Sequence, residues 1–134
     1  MEDKRLERLF DYTKFHIGIY LSAGGALLTL IALAAEKDKA TFVGKLVGSP
    51  PALAASLLSM LFAGACGGVI ASASTQCNTY EELWLGRHGP FGSQLLKGKA
   101  WAGLEHGAFW LSVIAFCYAV LSAAAVHQWL LPGP

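Results

Sequence analysis

Glu105 and His106 are the residues of this chain best placed to do chemistry, side by side at the mouth of an uncharged run from Gly107 to Val126. An ionisable group on an apolar helix is costly to desolvate unless it is paired, so such groups are the first candidates for function. His16 occupies the same position at the start of an earlier apolar run. Neighbours on a helix point about 100° apart, so Glu105 and His106 cannot both face one partner. Glu105 lies six residues after Lys99, at a depth where a carboxylate still reaches water and complements the helix dipole. That suits an interfacial hydrogen bond, the structural alternative to a functional role.

Three functional uses of this level remain. In the first, Glu105 or His106 lines a pore or polar vestibule formed by several copies. In the second, His16 and His106, on two helices at equal depth, are axial ligands of a haem or contacts for a quinone. In the third, the level shared with Cys77, Asn78, Tyr80, Glu81 and Glu82 is the active site of a membrane enzyme. The third lacks its motifs: there is no nucleophile–base arrangement, no H-E-x-x-H and no glycine-rich phosphate loop. No residue is assigned as catalytic. No metal site is assigned either, because Cys66, Cys77 and Cys117 show no C-x-x-C spacing.

The elements that position these residues follow from composition. Charged residues make up 14% of the chain and hydrophobic ones 54%, against about a quarter charged in soluble domains. The 134 residues allow a single domain. The charges fall in polar segments that separate three apolar runs, each long enough to cross a hydrocarbon core of about 30 Å as a helix. The expected fold is therefore all-α and membrane-integral: three transmembrane helices plus a short N-terminal helix and a short interfacial helix. The spans are placed at about 15–35, 52–75 and 103–129. A net charge of +1 leaves no basic surface for nucleic acid.

Residues 2–14 carry mixed charges with Leu6, Leu9, Phe10 and Thr13 at helical spacing, which predicts a polar extension of the first span. Ala32-Leu33-Ala34 resembles a signal-peptidase site, but a leader that is acidic as well as basic and the long apolar run favour a retained span. Gly18 and Ser22 give that span a small-residue face. In the link from Glu36 to Ser49, Phe42, Val43, Leu46 and Val47 suit a short interfacial turn. Ser49-Pro50-Pro51 then reads as an N-cap followed by prolines in the first turn.

The second span carries Ser56, Met60, Gly64, Gly68 and Ser72 at four-residue steps. Helices in lipid are held by close backbone approach, so small residues mark contacts. Gly64, Gly68 and Ser72 are accordingly the expected helix-packing residues, within one chain or between chains, and this span the central one. After it, Thr79-Tyr80-Glu81-Glu82 fits a capping box. Tyr80, Trp84, Trp101 and Trp129 suit the headgroup region.

Lys4, Arg5, Arg8, Lys14, Arg87, Lys97 and Lys99 fall on one side of this topology, against Lys37, Lys39 and Lys45 on the other. The positive-inside rule then puts the N-terminus in the cytoplasm and the C-terminus outside. A three-helix bundle has few polar positions with which to enclose a path alone. The expected role is non-catalytic, as a homo-oligomer or an accessory subunit of a larger complex in the lipid bilayer.

Overall fold

A computed structural model describes residues 3–35 and 45–130. Helix α1 runs from Lys4 to Ala35, α2 from Pro50 to Ser74, and a short α3 from Tyr80 to Leu85. Two-residue strands β1 (Arg87–His88) and β2 (Leu96–Lys97) flank a 3-10 turn at Pro90–Gly92. Helix α4 spans Gly98–Leu121 and a terminal α5 Ala124–Leu130. Helices α1, α2 and α4 are long and apolar enough to cross a bilayer. The short N-terminal helix expected before the first span is not a separate element, since α1 continues unbroken from Lys4.

Helix α2 starts as its sequence dictates: Ser49 is the N-cap, its hydroxyl accepting from the Ala52 amide at 3.4 Å, with Pro50 and Pro51 in the first turn. It is the central helix, packed against both α1 and α4. It buries 39% of its most apolar stretch, against 17% for α1 and 22% for α4. The face it buries within the chain is a different row from that small-residue stripe. The inward positions are Leu53, Ser56, Met60, Ala63, Gly67, Ile70 and Ser74, with Cys66 and Ala73 beside them. That row alternates steps of three and four, close to the 3.5-residue period of packed helices. Steps of four overshoot a 3.6-residue turn by about 40° each. A row that starts inward at Ser56 has therefore rotated out by Gly68 and Ser72, and both are exposed. Gly64 keeps an ordinary contact, its Cβ position 3.6 Å from Tyr20 Cβ, while a Cβ on Gly68 would meet nothing within 4 Å.

Between α2 and α4 the seam is closed by Ser56 and Ser112, both fully buried. Each hydroxyl donates to the other's backbone carbonyl, at 2.9 and 2.8 Å. Neither of these two hydroxyls is left without a partner among apolar side chains, where that would be costly.

At one end the link after α2 folds into an ordered cap. Thr79 accepts from the Glu82 amide at 3.2 Å, and Glu82 reaches back to the Asn78 amide at 2.9 Å, completing the capping box one residue early. Leu83 is buried with Ile70 and Ala73, and Leu6, Leu9 and Trp101 pack against them. Trp101 Nε1 donates to the His88 carbonyl at 2.8 Å, fixing the β-hairpin to α4. The Gly98 amide donates to Gly86 at 3.1 Å, and Gly98 lies so close to the Leu83 carbonyl that no side chain fits there. The polar start of α1 is docked here too, because Asp3 Oδ2 accepts the Tyr80 amide at 2.7 Å.

At the other end, α4 stops at Leu121 instead of running on toward Trp129. The Ala119 carbonyl accepts the Gly48 amide at 2.8 Å and the Ser122 hydroxyl at 3.2 Å. With that acceptor occupied, the Ala123 amide turns to Val120 and the helix breaks. Of the turn expected before α2, Phe42 and Val43 lie outside the described residues, while Val47 packs against the core.

Candidate functional site

Tyr12, His16 and Tyr20 succeed one another at four-residue steps along α1 and meet Glu105 and His106 of α4. Glu105 points into the bundle, 2% exposed, and accepts a hydrogen bond from the Tyr20 hydroxyl at 3.0 Å. Tyr20 is itself 3% exposed, and its ring packs against Phe109 with centroids 5.8 Å apart. Gly67 of α2 supplies the space. A Cβ there would lie 3.5 Å from Glu105 Oε1 and 3.2 Å from Ile17 Cγ1. Room beside Glu105 therefore comes from the central helix, whereas Gly103 and Gly107, the neighbours on its own helix, face outward with nothing within 4 Å.

His106, one residue on, is exposed, as the 100° offset requires. Its Nδ1 is 2.9 Å from the Ala102 carbonyl and its Nε2 3.5 Å from the Tyr12 hydroxyl. A carbonyl only accepts, so in the neutral ring Nδ1 carries the hydrogen and Nε2 is left to accept from Tyr12. His16 sits between these groups. Its ring centroid is 3.9 Å from that of Tyr12, 5.9 Å from Tyr20 and 6.3 Å from His106. His16 Nδ1 is buried and has no hydrogen-bond partner among the described residues.

The structure thus brings together His16, Glu105 and His106. Gly64 lies near the same cluster through Tyr20, while Gly68 and Ser72 do not join it. Tyr12, Tyr20 and Gly67 were not singled out from sequence. The readable signal was the Tyr-x-x-x-His-x-x-x-Tyr ladder, which puts three hydrogen-bonding rings on one helix face. As placed, His16 and His106 do not fit a haem. Tyr12 packs edge-on against His16, its hydroxyl faces His106 Nε2, and His106 Nδ1 is committed to Ala102. A macrocycle between the imidazoles would have to displace Tyr12. Among the described residues no group of three His, Cys, Asp or Glu side chains is close enough to hold a metal ion.

A second polar region lies at the capped end, where a cleft of about 610 Å³ is lined by Asp3, Glu7, Phe10, Thr75 and Cys77. The Tyr80 amide, and after it the Arg5 amide, holds the Asp3 carboxyl below the usual carboxylate range. Burial, with the charge of Glu82, pushes the Cys77 thiol up, so it is not an activated nucleophile. Comparison with protein-family models, with curated proteins and with solved structures finds no match for the chain.

Proposed function

We propose that the chain is a three-span integral membrane protein acting non-catalytically as a subunit of a larger membrane assembly, of its own copies or of other chains. One observation carries this. Gly18 and Gly25 on α1, Gly68 on α2, and Gly103 and Gly107 on α4 all face outward, with nothing within 4 Å of a would-be Cβ. Glycine inside a helix costs about 1 kcal/mol relative to alanine. Facing lipid, that cost returns nothing; facing another helix, it permits close backbone approach.

The burial of Glu105 favours a subunit role over a pore, because the carboxyl faces Tyr20 of its own chain and not an axis shared between chains. Glu105 stands seven residues into α4, roughly 10 Å along the helix at 1.5 Å per residue. That is past the first interface of a core about 30 Å thick, so the Tyr20–Glu105 pair is a polar clasp inside the membrane. The end carrying it also carries Lys4, Arg5, Arg8, Arg87, Lys97 and Lys99, which the positive-inside rule assigns to the cytoplasm.

Native mass spectrometry of the protein extracted from its membrane with surrounding lipid tests the proposal. Ions heavier than one chain are expected, reduced to a single chain by Gly103→Leu with Gly107→Leu. Single-chain ions alone from the unaltered protein would overturn it.

A specific observation favours a second role. His16 Nδ1 lacks a partner among the described residues, and two turns further along the same side of α1 begins an apolar groove of about 220 Å³, lined by Ala23, Leu27, Met60, Val113 and Phe116. A quinone carbonyl at His16 with its tail in that groove meets both needs. A short-chain quinone should then shift the His16 ring resonances in the unaltered protein and not in Phe116→Trp, which fills the groove. No shift in the unaltered protein would exclude it.

A further inference from the structure

The hairpin between α3 and α4 carries a residue that nothing in the fold explains. Phe91 lies at its tip, 108% exposed, with its backbone held at φ 56. A bulky side chain is disfavoured in that left-handed region, so the turn presents the ring outward at a cost. Leu95 and Leu96 of the same hairpin are 54% and 39% exposed, and Leu85 just before it 56%.

Two contacts fix the hairpin's level. Its first strand is tied through the His88 carbonyl to the indole of Trp101, three residues into α4. Its loop, Gly92 to Gln94, lines a cleft with Ser72, Ala73 and Gln76, so it lies along the last turn of α2 and does not project away from the bundle. The hairpin is also stiff: Arg87 pairs with Lys97 and His88 with Leu96, and Pro90 O accepts both the amide and the hydroxyl of Ser93, at 3.2 and 2.7 Å.

We infer that this hairpin is an interfacial anchor that seats Phe91 at the boundary between phospholipid headgroups and acyl chains, in the same bilayer the helices cross. Its level matches the ends of α2 and α4, where a membrane's headgroups lie if these helices span it, and aromatic rings collect in that layer. Exposed Arg87 and Lys97 pair at the base of the hairpin, with Lys99 just beyond it on α4, on the headgroup side of the tip where lipid phosphates would lie. Of the nearby acids on α3, Glu82 is engaged with the Asn78 amide, leaving Glu81 facing solvent. The hairpin thereby fixes the depth and tilt of α4, to which it is joined without an intervening residue.

The inference rests on the spanning assignment, and one experiment separates the two. Single spin labels are placed at Phe91, at Leu111 on the outer face of α4 and at Glu81, in a cysteine-free background, in vesicles of phosphatidylcholine with phosphatidylglycerol. Collision with oxygen is compared with collision with an aqueous nickel chelate. The oxygen preference at 91 should fall between the high value at 111 and the low value at 81. A value at 91 equal to that at 81, with 111 still lipid-like, overturns the anchor alone. An aqueous value at 111 overturns the spanning assignment, and the anchor with it. Should the cysteine-free background not fold, relaxation of the Phe91 and Gly92 amides of the unaltered chain by lipid-borne nitroxide reads the same depth, and no relaxation there overturns the anchor.

Discussion

Removing the Tyr20 hydroxyl isolates the central contact of the candidate site. In Tyr20→Phe the ring and its packing on Phe109 stay, but Glu105, 2% exposed, loses the hydroxyl that donates to it. Orphaning a buried acceptor costs about 1–3 kcal/mol. The 3.0 Å separation is long for an O–H···O bond and well outside the 2.5–2.7 Å typical of charge-assisted ones. Interhelical hydrogen bonds in membranes average about 0.6 kcal/mol and reach about 1.7. These limits together put the Tyr20→Phe cost at about 1 kcal/mol. Glu105→Leu should cost a similar amount by stranding the Tyr20 hydroxyl. The double variant replaces both partners with apolar groups and should cost less than the sum, by about 1 kcal/mol of coupling. Glu105→Gln keeps a carbonyl for the hydroxyl and should lose least. Reversible unfolding in mixed micelles, followed by helicity, measures all four. Additivity of the two single changes to within about 0.3 kcal/mol would refute the clasp.

Gly67→Ala should destabilise, because its Cβ would press on Ile17 Cγ1 at 3.2 Å, whereas Gly68→Ala adds a Cβ in open space within the chain and, with chains separated in micelles, should be neutral or gain up to about 1 kcal/mol of helix propensity; the opposite order in unfolding of the separated chain would return the packing face within the chain to the four-residue stripe. Asp3 has a folded-state pKa below its ordinary value because of the Tyr80 and Arg5 amides, so its docking contribution is complete above the unfolded value of about 3.9 and is lost as pH falls through the lower folded one. Protection of the Tyr80 amide, relative to its intrinsic exchange rate, should accordingly fall on acidification in the unaltered chain and be flat with pH in Asp3→Asn; acid-insensitive protection in both would show that the carboxylate is not its partner. Single cysteines at Gln94 and Asp38 should label from the cytoplasm and from outside respectively, and the reverse pattern would invert the topology.

What was legible in the sequence was whatever depends on near neighbours. Ser49 with its two prolines and Thr79 with Glu82 announced helix starts, because a cap needs only residues three or four apart. The central place of α2 followed from its small residues, but the face it buries within the chain did not: a four-residue step differs from the true period by too little to notice over one turn and too much over four. The room beside Glu105 was not legible, because it comes from Gly67 on another helix, a long-range fact absent from the local pattern. The end of α4 was hidden for the same reason. Ala119 to Ala124 contains no glycine or proline, and the break is made by an amide from Gly48. The two-residue strands are too short to show any alternation.

Both ends of the bundle are tied by bonds that wait on synthesis. Asp3 is held by Tyr80, 77 positions later, and the Gly48 amide by Ala119. At about 5–20 residues per second, the first of these intervals lasts roughly 4–15 s. Throughout it the polar start of α1 has emerged without the helix it will dock on. The polar start of α1 is therefore made well before the residue that docks it, so closure at this end runs against the direction of synthesis. Until α4 arrives, α1 and α2 can pair with each other, but Ser56 stands without the Ser112 partner that completes the seam.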